Sequence, residues 1–492
     1  MDSKLLFYNF AGNLINFAIT SLFFYFSRIW ISLEILGEIG LIISRFMIYG
    51  FVADIGINIT HMKFYSEERD PIIKKQLNGL FLVIKLGLVL ILSIILIFEY
   101  KSISLNLSST IEAQILLGSI IFQNLSTIPS TILITQRKIV RNIFSTIISN
   151  FIRFFQLLVL FLSTNLTSIY YAQNYLVFSF VSLLSSSFFV GRNVFAKPSF
   201  KFLKNYLKYA FPYIFSYISF IIIENYSTIL IGRWSTYENV GVFQTATQLM
   251  QYFAIIPTII LQVLLPSFSQ QNQDQNTKKQ ISQSILKLQH YISIVFIFII
   301  IASNLLSKLI IVSLFGPEYE ESAEILNIIL WAKFIEIFSL GIIIDLRASG
   351  KNYFSELMTI FYLLLHVILC NIFISPALLN LGPLGASYAI LISSVVYWFI
   401  FIFISCKKFD YIFYWNLGKI FLVYVVLIGL HLIQRVFGIE FGFFGTIIEF
   451  IVISALFFII LFLLRILVPE DITFLITLLD LKDLKNKLFT KK

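Results

Sequence analysis

Charge is scarce in this chain. Asp, Glu, Lys and Arg supply only 13% of its 492 residues, whereas 58% are hydrophobic. Two cysteines, Cys370 and Cys406, leave no basis for a disulfide framework, and His61, His290, His366 and His431 are too scattered for metal-ligand spacing. No Walker loop is present, which argues against ATP hydrolysis by this chain, and no Ser–His–Asp arrangement points to an enzyme. Polar stretches long enough to form a soluble domain are missing too; the longest, residues 267–289, is Gln-rich and reads as a linker.

What the sequence does have is fourteen apolar stretches: 8–30, 39–60, 77–98, 112–134, 140–162, 168–190, 208–231, 240–264, 291–313, 325–346, 354–374, 384–405, 416–434 and 444–468. Mean hydropathy is +0.89. A helix needs ~20 residues to cross a ~30 Å hydrocarbon layer. Within lipid every backbone polar group must be satisfied inside its own segment, so long apolar runs read as helices. The ~10-residue dyad alternation of a membrane barrel is missing.

The cations are distributed unevenly. Counting cations near the end of a stretch with the adjoining gap, 27 of the 36 Lys and Arg residues fall in alternate gaps and the termini, 5 (Arg28 among them) in the remaining, outer gaps and 4 (Arg45, Lys85, Arg153 and Lys333) deep inside apolar stretches. Loops rich in Lys and Arg stay in the cytoplasm, so the pattern predicts an integral membrane protein with an even number of spans and both termini cytoplasmic. The net charge of +10 therefore faces an anionic inner leaflet rather than nucleic acid. The first span begins close to Met1 and reads as an uncleaved anchor. Residues 471–492 alternate apolar and charged positions and predict an amphipathic helix on the inner leaflet, or a frayed basic tail.

GEIGL (37–41), leading into the second span, recurs as ENVGVF (238–243) leading into the eighth; ITQRK (134–138) has its partner in RASGK (347–351). Two six-span blocks offset in this way fit parallel repeats. The predicted organisation is an N-lobe over 1–200, a C-lobe over 201–410, two further helices over 411–470 and a tail over 471–492.

LGEIGL (36–41), ADIGI (53–57), FPY (211–213), ENVGVFQTATQL (238–249), IPTIILQVLLPSFS (256–269), LFGPEYEESAEIL (314–326), RASGK (347–351) and LGPLGASYA (381–389) run in order along almost the whole chain. Together they resemble the polysaccharide flippases of the multidrug/oligosaccharidyl-lipid/polysaccharide exporter superfamily, the O-antigen and capsule repeat-unit transporters. The resemblance implies an all-α membrane fold with two six-helix lobes around a central cavity and two extra C-terminal helices. It implies a non-enzymatic role: moving an oligosaccharide on undecaprenyl pyrophosphate from the inner to the outer leaflet of a bacterial cytoplasmic membrane. A polysaccharide polymerase and a chain-length regulator are the implied partners, and no cofactor is expected beyond a coupling H+ or Na+.

A charge inside a span costs ~2.5–3.5 kcal/mol on insertion scales, so each retained one needs a reason. Arg153 is the deepest cation and lies on a polar stripe with Asn142, Thr146, Ser149 and Gln156. It would either meet the pyrophosphate through a bidentate guanidinium contact or pair permanently with a carboxylate on a neighbouring helix. Arg45 and Lys85 are further pyrophosphate candidates, with snorkelling to an interface as the alternative. Lys333 is a fourth, although Glu336 three residues on offers it a local partner.

Asp54 and Glu224 are candidates for ion coupling. For Asp54 the alternative is a structural partner for a cation or a backbone terminus. Asp345 and Glu356 read as solvated near the inner interface. Asn9, Asn13 and Asn16, with Thr20, share one face of the first span, and Gln244, Gln248 and Gln251, with Thr247, share one face of the eighth, before Pro257. Either stripe would line a sugar path or hydrogen-bond between packed helices.

Three rival functions remain on these residues. One is a multidrug/cation antiporter of the same superfamily, which would prefer an acidic cavity. The second is a lipid II flippase. The third is a membrane-embedded glycosyltransferase, which would need clustered acidic residues in a long outer loop.

Overall fold

Long apolar runs without strand periodicity give a chain of helices in the computed structural model, which describes residues 3–104, 110–163, 167–191, 193–253, 277–348, 352–409, 411, 414–436 and 442–468. In chain order the helices are α1 (Ser3–Trp30), α2 (Leu33–Tyr49), α3 (Ile57–Glu67), α4 (Pro71–Ser104), α5 (Thr110–Thr135), α6 (Ile139–Ser163), α7 (Ser168–Val190), α8 (Leu203–Trp234) and α9 (Tyr237–Phe253). They continue as α10 (Thr277–Phe315), α11 (Glu320–Ala348), α12 (Asn352–Ile374), α13 (Gly382–Phe409), α14 (Asn416–Val436) and α15 (Phe443–Leu463). No strand occurs among the described residues.

Twelve segments among the described residues are long and apolar enough to cross a membrane, and they coincide with the expected second to seventh and ninth to fourteenth spans. The first expected span is occupied by the 28-residue α1, and the eighth is described only as far as Phe253. Pro257 and the tail 471–492 lie outside the described residues. Large apolar side chains such as Phe188 (81% exposed) and Phe444 (79%) point outward, as lipid-facing helices require. This is a multi-pass helical membrane protein.

Two expectations are corrected. The presumed linker 267–289 is helical from Thr277 onward and runs without a break into the following span as α10. The second span, expected to be one helix, is interrupted: a 3-10 turn over Gly50–Ala53 separates α2 from α3, with Ile55 (φ 39°) and Gly56 (φ 78°) both left-handed.

The chain divides into two units, one running to Gly241 and the other from Val242 onward. In the first, α7 lies against α5 and α6, α1 against α6, and α8 against α2. Ile57, Leu80, Phe81, Ile132, Leu133 and Tyr206 belong to a buried cluster there. In the second, α10 packs on α11, α14 and α15, and α13 on α11 and α12, around Ile285, Leu346, Met358 and Phe401.

The repeated glycine motifs meet in the first unit. A Cβ on Gly37 would lie 1.7 Å from the Tyr237 carbonyl oxygen, and one on Gly241 would lie 2.5 Å from that of Leu33. Small residues thus let the backbones of α2 and α9 touch. Gly37→Ala must push these helices apart, and overpacking of this kind costs about 1–3 kcal/mol or more. We expect a lower melting temperature for the purified variant; an unchanged one would mean that the contact is not tight.

Candidate functional site

The polar stripe of α6 does two different jobs along its length. At one end its side chains stitch helices together. Asn142 Oδ1 accepts from Ser130 of α5 (2.8 Å), Ser145 pairs with Ser185 of α7 (2.7 Å), and Asn150 on the same helix donates to Asn16 Oδ1 of α1 (2.7 Å). These are interhelical bonds between packed spans. Asn16 thus makes an interhelical bond of the kind that one of its two readings expects.

One turn further on, the stripe carries a charge. The Arg153 guanidinium carbon lies 3.9 Å from the centre of the Phe23 ring, 4.3 Å from that of Tyr175 and 5.0 Å from that of Phe178. Its Nε donates to Asn174 Oδ1 at 3.1 Å, and Asn174 Nδ2 donates back to the Arg153 carbonyl at 2.8 Å. Asn174 is itself buried and also reaches Gln156 Oε1. Aromatic faces stabilise a cation at such distances by about 0.5–2 kcal/mol each. They lower the cost of the charge without neutralising it. Among the described residues no carboxylate lies within ion-pair distance of Arg153.

A second arginine stands nearby. Arg28, expected in an outer loop, closes the last turn of α1, is only 5% exposed, and lies 4.1 Å from the Phe24 ring. Its charge and that of Arg153 both bear on the hydroxyls of Tyr171 and Tyr175, which are 3.4 Å apart. Where α1, α6 and α7 meet, two guanidinium groups therefore sit among aromatic rings, hydroxyls and an amide. A niche of this chemistry suits an anion that can also accept hydrogen bonds.

Asp54 and Lys85 come together, in a different role. Lys85 does not snorkel: it is 0% exposed, donates to the Ala53 carbonyl at 2.7 Å and lies 3.9 Å from Asp54 Oδ1. Asp54 in turn accepts from the Asn58 amide (3.0 Å) and the Asn58 side chain (2.8 Å), capping α3. The ammonium and the carboxylate thus hold the interruption between α2 and α3 in its left-handed path. Gly56 is needed there twice over, for its φ and because a Cβ would meet Tyr213 at 2.9 Å.

Glu224, on α8, is exposed, and its charge and that of Asp54 both act on Tyr217, two turns earlier on the same helix. Arg45, half-buried on α2, bears on Tyr49 and Tyr237. Lys333 donates to Glu336 Oε2 at 2.8 Å, the local pairing that its spacing allowed. Asn13, Gln248 and Gln251 are exposed and Gln244 is half-buried; the side chain of Asn9 lies outside the described residues.

Besides Arg28, sequence reasoning missed two buried histidine contacts. His61 Nδ1 meets the Tyr206 hydroxyl at 2.6 Å, and His431 Nδ1 meets Glu449 Oε1 at 2.6 Å between α14 and α15. Each partner lies on a different helix, 145 and 18 residues away, so no local spacing announces the pair.

Comparison with known proteins bears on the family and the fold. The family described as polysaccharide biosynthesis protein matches residues 37–324. No curated protein matches the sequence. Among solved structures, one described as lipid II flippase MurJ in an inward closed conformation superposes with a TM-score of 0.68 at 16% identity, covering 93% of this chain and 97% of that one. An inward-facing multidrug resistance MATE family transporter of the MOP superfamily gives 0.63 at 14% identity, over 85% and 99%. A MOP superfamily transporter from Pyrococcus furiosus, whose binding pocket is described as reversed in polarity, gives 0.54 at 17% identity, over 82% and 96%. At these identities the likeness establishes a shared helical fold.

Proposed function

We propose, because this chain belongs to the polysaccharide biosynthesis protein family, that it is a flippase for oligosaccharide repeat units linked to undecaprenyl pyrophosphate. It is a transporter rather than an enzyme. In this reading it sits in a bacterial cytoplasmic membrane with fourteen spans and both termini inside, and works by alternating access. The carried units feed O-antigen or capsule synthesis, alongside a polymerase and a chain-length regulator.

One observation carries the proposal: the Arg153 guanidinium, deep in a span, is surrounded by rings and an amide, and no described carboxylate neutralises it. A pyrophosphate supplies the missing negative charge and matches the donor fork of a guanidinium. Arg28 strengthens the field, while the half-buried Tyr175 offers a hydroxyl that a glycan headgroup accepts. A membrane potential negative inside assists outward movement of an anion by ~2.3 kcal/mol per charge per 100 mV. Counter-movement of H+ or Na+ would add to this. The capping role of Asp54 favours Glu224 as the group that takes part in it.

The likeness to a lipid II flippase supports a second reading, in which the carried headgroup is a peptidoglycan precursor on the same pyrophosphate. The cationic niche disfavours a carrier of drug cations. Purified protein in liposomes separates the three. We expect fluorescent undecaprenyl-pyrophosphate oligosaccharide to become accessible to an external quencher, with lipid II moving at least about tenfold more slowly, one factor of ~1.4 kcal/mol in selectivity. Ethidium movement without lipid movement would overturn the proposal.

A further inference from the structure

At the Lys-rich end of the first unit, the last turns of α3 run against the start of α8. Phe64 of α3 and Asn205, Lys208 and Tyr209 of α8 line a cavity of about 360 Å³, within the usual size of small-ligand sites. The Lys63 ammonium stands 3.9 Å from the centre of the Tyr209 ring. Below it the floor is rigid: Phe64 packs on Tyr206, which is fully buried and held by His61. One ammonium, an amide and a phenol thus line this open pocket, and a second ammonium, that of Lys63, stands over the ring of that phenol.

The carboxylates near this pocket are poorly placed to neutralise it. Glu67 lies 3.9 Å from Lys63, but their side chains are 63% and 37% exposed, and an exposed pair of that kind contributes little. Glu68 accepts from the amides of Asp70 and Arg69, which hold its carboxyl below the usual range and turn it toward the backbone. Asp70 accepts from the Ile72 amide at the start of α4. Lys201 and Lys204, just before and within the first turn of α8, and Lys74 of α4 add cations to this end of the unit.

The surface leading away from the pocket identifies the ligand class. Lys204, Lys208, Phe211 and Phe215 recur on one face of α8 at helical spacing, so cations pass directly into exposed apolar rings. Phe211 is 60% exposed and Phe215 44%, with ring centres 5.6 Å apart. A free phosphate would use only the first half of this track. An amphiphile with a phosphate head and a hydrocarbon tail uses all of it.

We propose that this pocket docks the phosphate group of a membrane lipid. Lys63 and Lys208 meet the phosphate oxygens, Asn205 and Tyr209 hydrogen-bond to them, and Phe211 and Phe215 flank the chain. The site is separate from the Arg153 niche and does not depend on which glycan, if any, the protein carries. Two lipids share the required chemistry, an anionic phospholipid of the bilayer and a polyprenyl pyrophosphate carrier.

Native mass spectrometry of the delipidated full chain tests this, with dioleoyl phosphatidylglycerol, undecaprenyl pyrophosphate and dioleoyl phosphatidylcholine as probes. We expect K63A/K208A to weaken binding of one anionic lipid roughly tenfold or more, the scale of one charge-assisted contact. K63R/K208R should retain it, and K407A/K408A, which removes equal charge elsewhere, should leave it unchanged. Loss confined to phosphatidylglycerol names a bilayer lipid, loss confined to undecaprenyl pyrophosphate names the carrier, and loss of both names the shared headgroup. Unchanged binding in K63A/K208A, equal loss in K407A/K408A, or equal binding of phosphatidylcholine overturns the assignment. All four lysines are half-buried or exposed, and matching melting curves will show that each variant is folded.

Discussion

Arg153→Ala is expected to abolish surface polysaccharide in cells that depend on this chain, while the protein still inserts and accumulates. A bidentate pyrophosphate contact comprises two hydrogen bonds to charged groups, each worth about 1.5–3 kcal/mol. Losing both predicts at least a roughly hundredfold drop in transport. Insertion should not suffer, because removing a charge from a span relieves a cost of ~2.5–3.5 kcal/mol. Arg153→Lys keeps the charge but loses the planar fork and its stacking, so it should restore only part of the activity. Surface polysaccharide, measured by immunoblot and normalised to membrane-localised protein, reads the outcome. Normal polysaccharide in Arg153→Ala would remove this residue from the mechanism.

The second large effect is on stability. Lys85→Met keeps an unbranched apolar side chain, one atom shorter, but deletes the ammonium that holds the Ala53 carbonyl and faces Asp54. Breaking a buried pair by removing one partner costs about 3–5 kcal/mol, because the other charge stays behind. Here the loss also frees a strained segment, since Ile55 and Gly56 are left-handed where the two helices part. We expect a strongly lowered melting temperature in detergent and partial recovery in Lys85→Met/Asp54→Asn, where no uncompensated carboxylate remains. A melting temperature equal to that of the unaltered protein would show that Lys85 does not hold the interruption.

The membrane-spanning plan was legible because it is written in composition. Apolar length and the alternation of cations depend on sequence order alone, and twelve of the expected spans reappear as helices among the described residues. The interruption after Tyr49 was not read, although its marks are local: an Asp that can cap, followed by a glycine, in Asp54-Ile55-Gly56. Those marks were outweighed by an unbroken hydrophobic run.

Arg28 was assigned to a loop because it sits at the edge of an apolar stretch, where exposure depends on which neighbouring helix covers it. Tyr171 and Tyr175 of α7 lie more than 140 positions away in sequence, and only the packing of three helices brings them to it. The same limit hid the pairing of His431 with Glu449. For Lys333 the spacing sufficed, since its partner is on its own helix face.

The most direct test is equilibrium binding of undecaprenyl-pyrophosphate oligosaccharide to the purified protein, compared with Arg153→Gln and with an uncharged undecaprenyl glycoside carrying the same sugar. The account predicts that the unaltered protein prefers the pyrophosphate ligand by roughly tenfold or more and that Arg153→Gln erases this preference while leaving the uncharged ligand unaffected. Equal affinity of both proteins for the pyrophosphate ligand would contradict it.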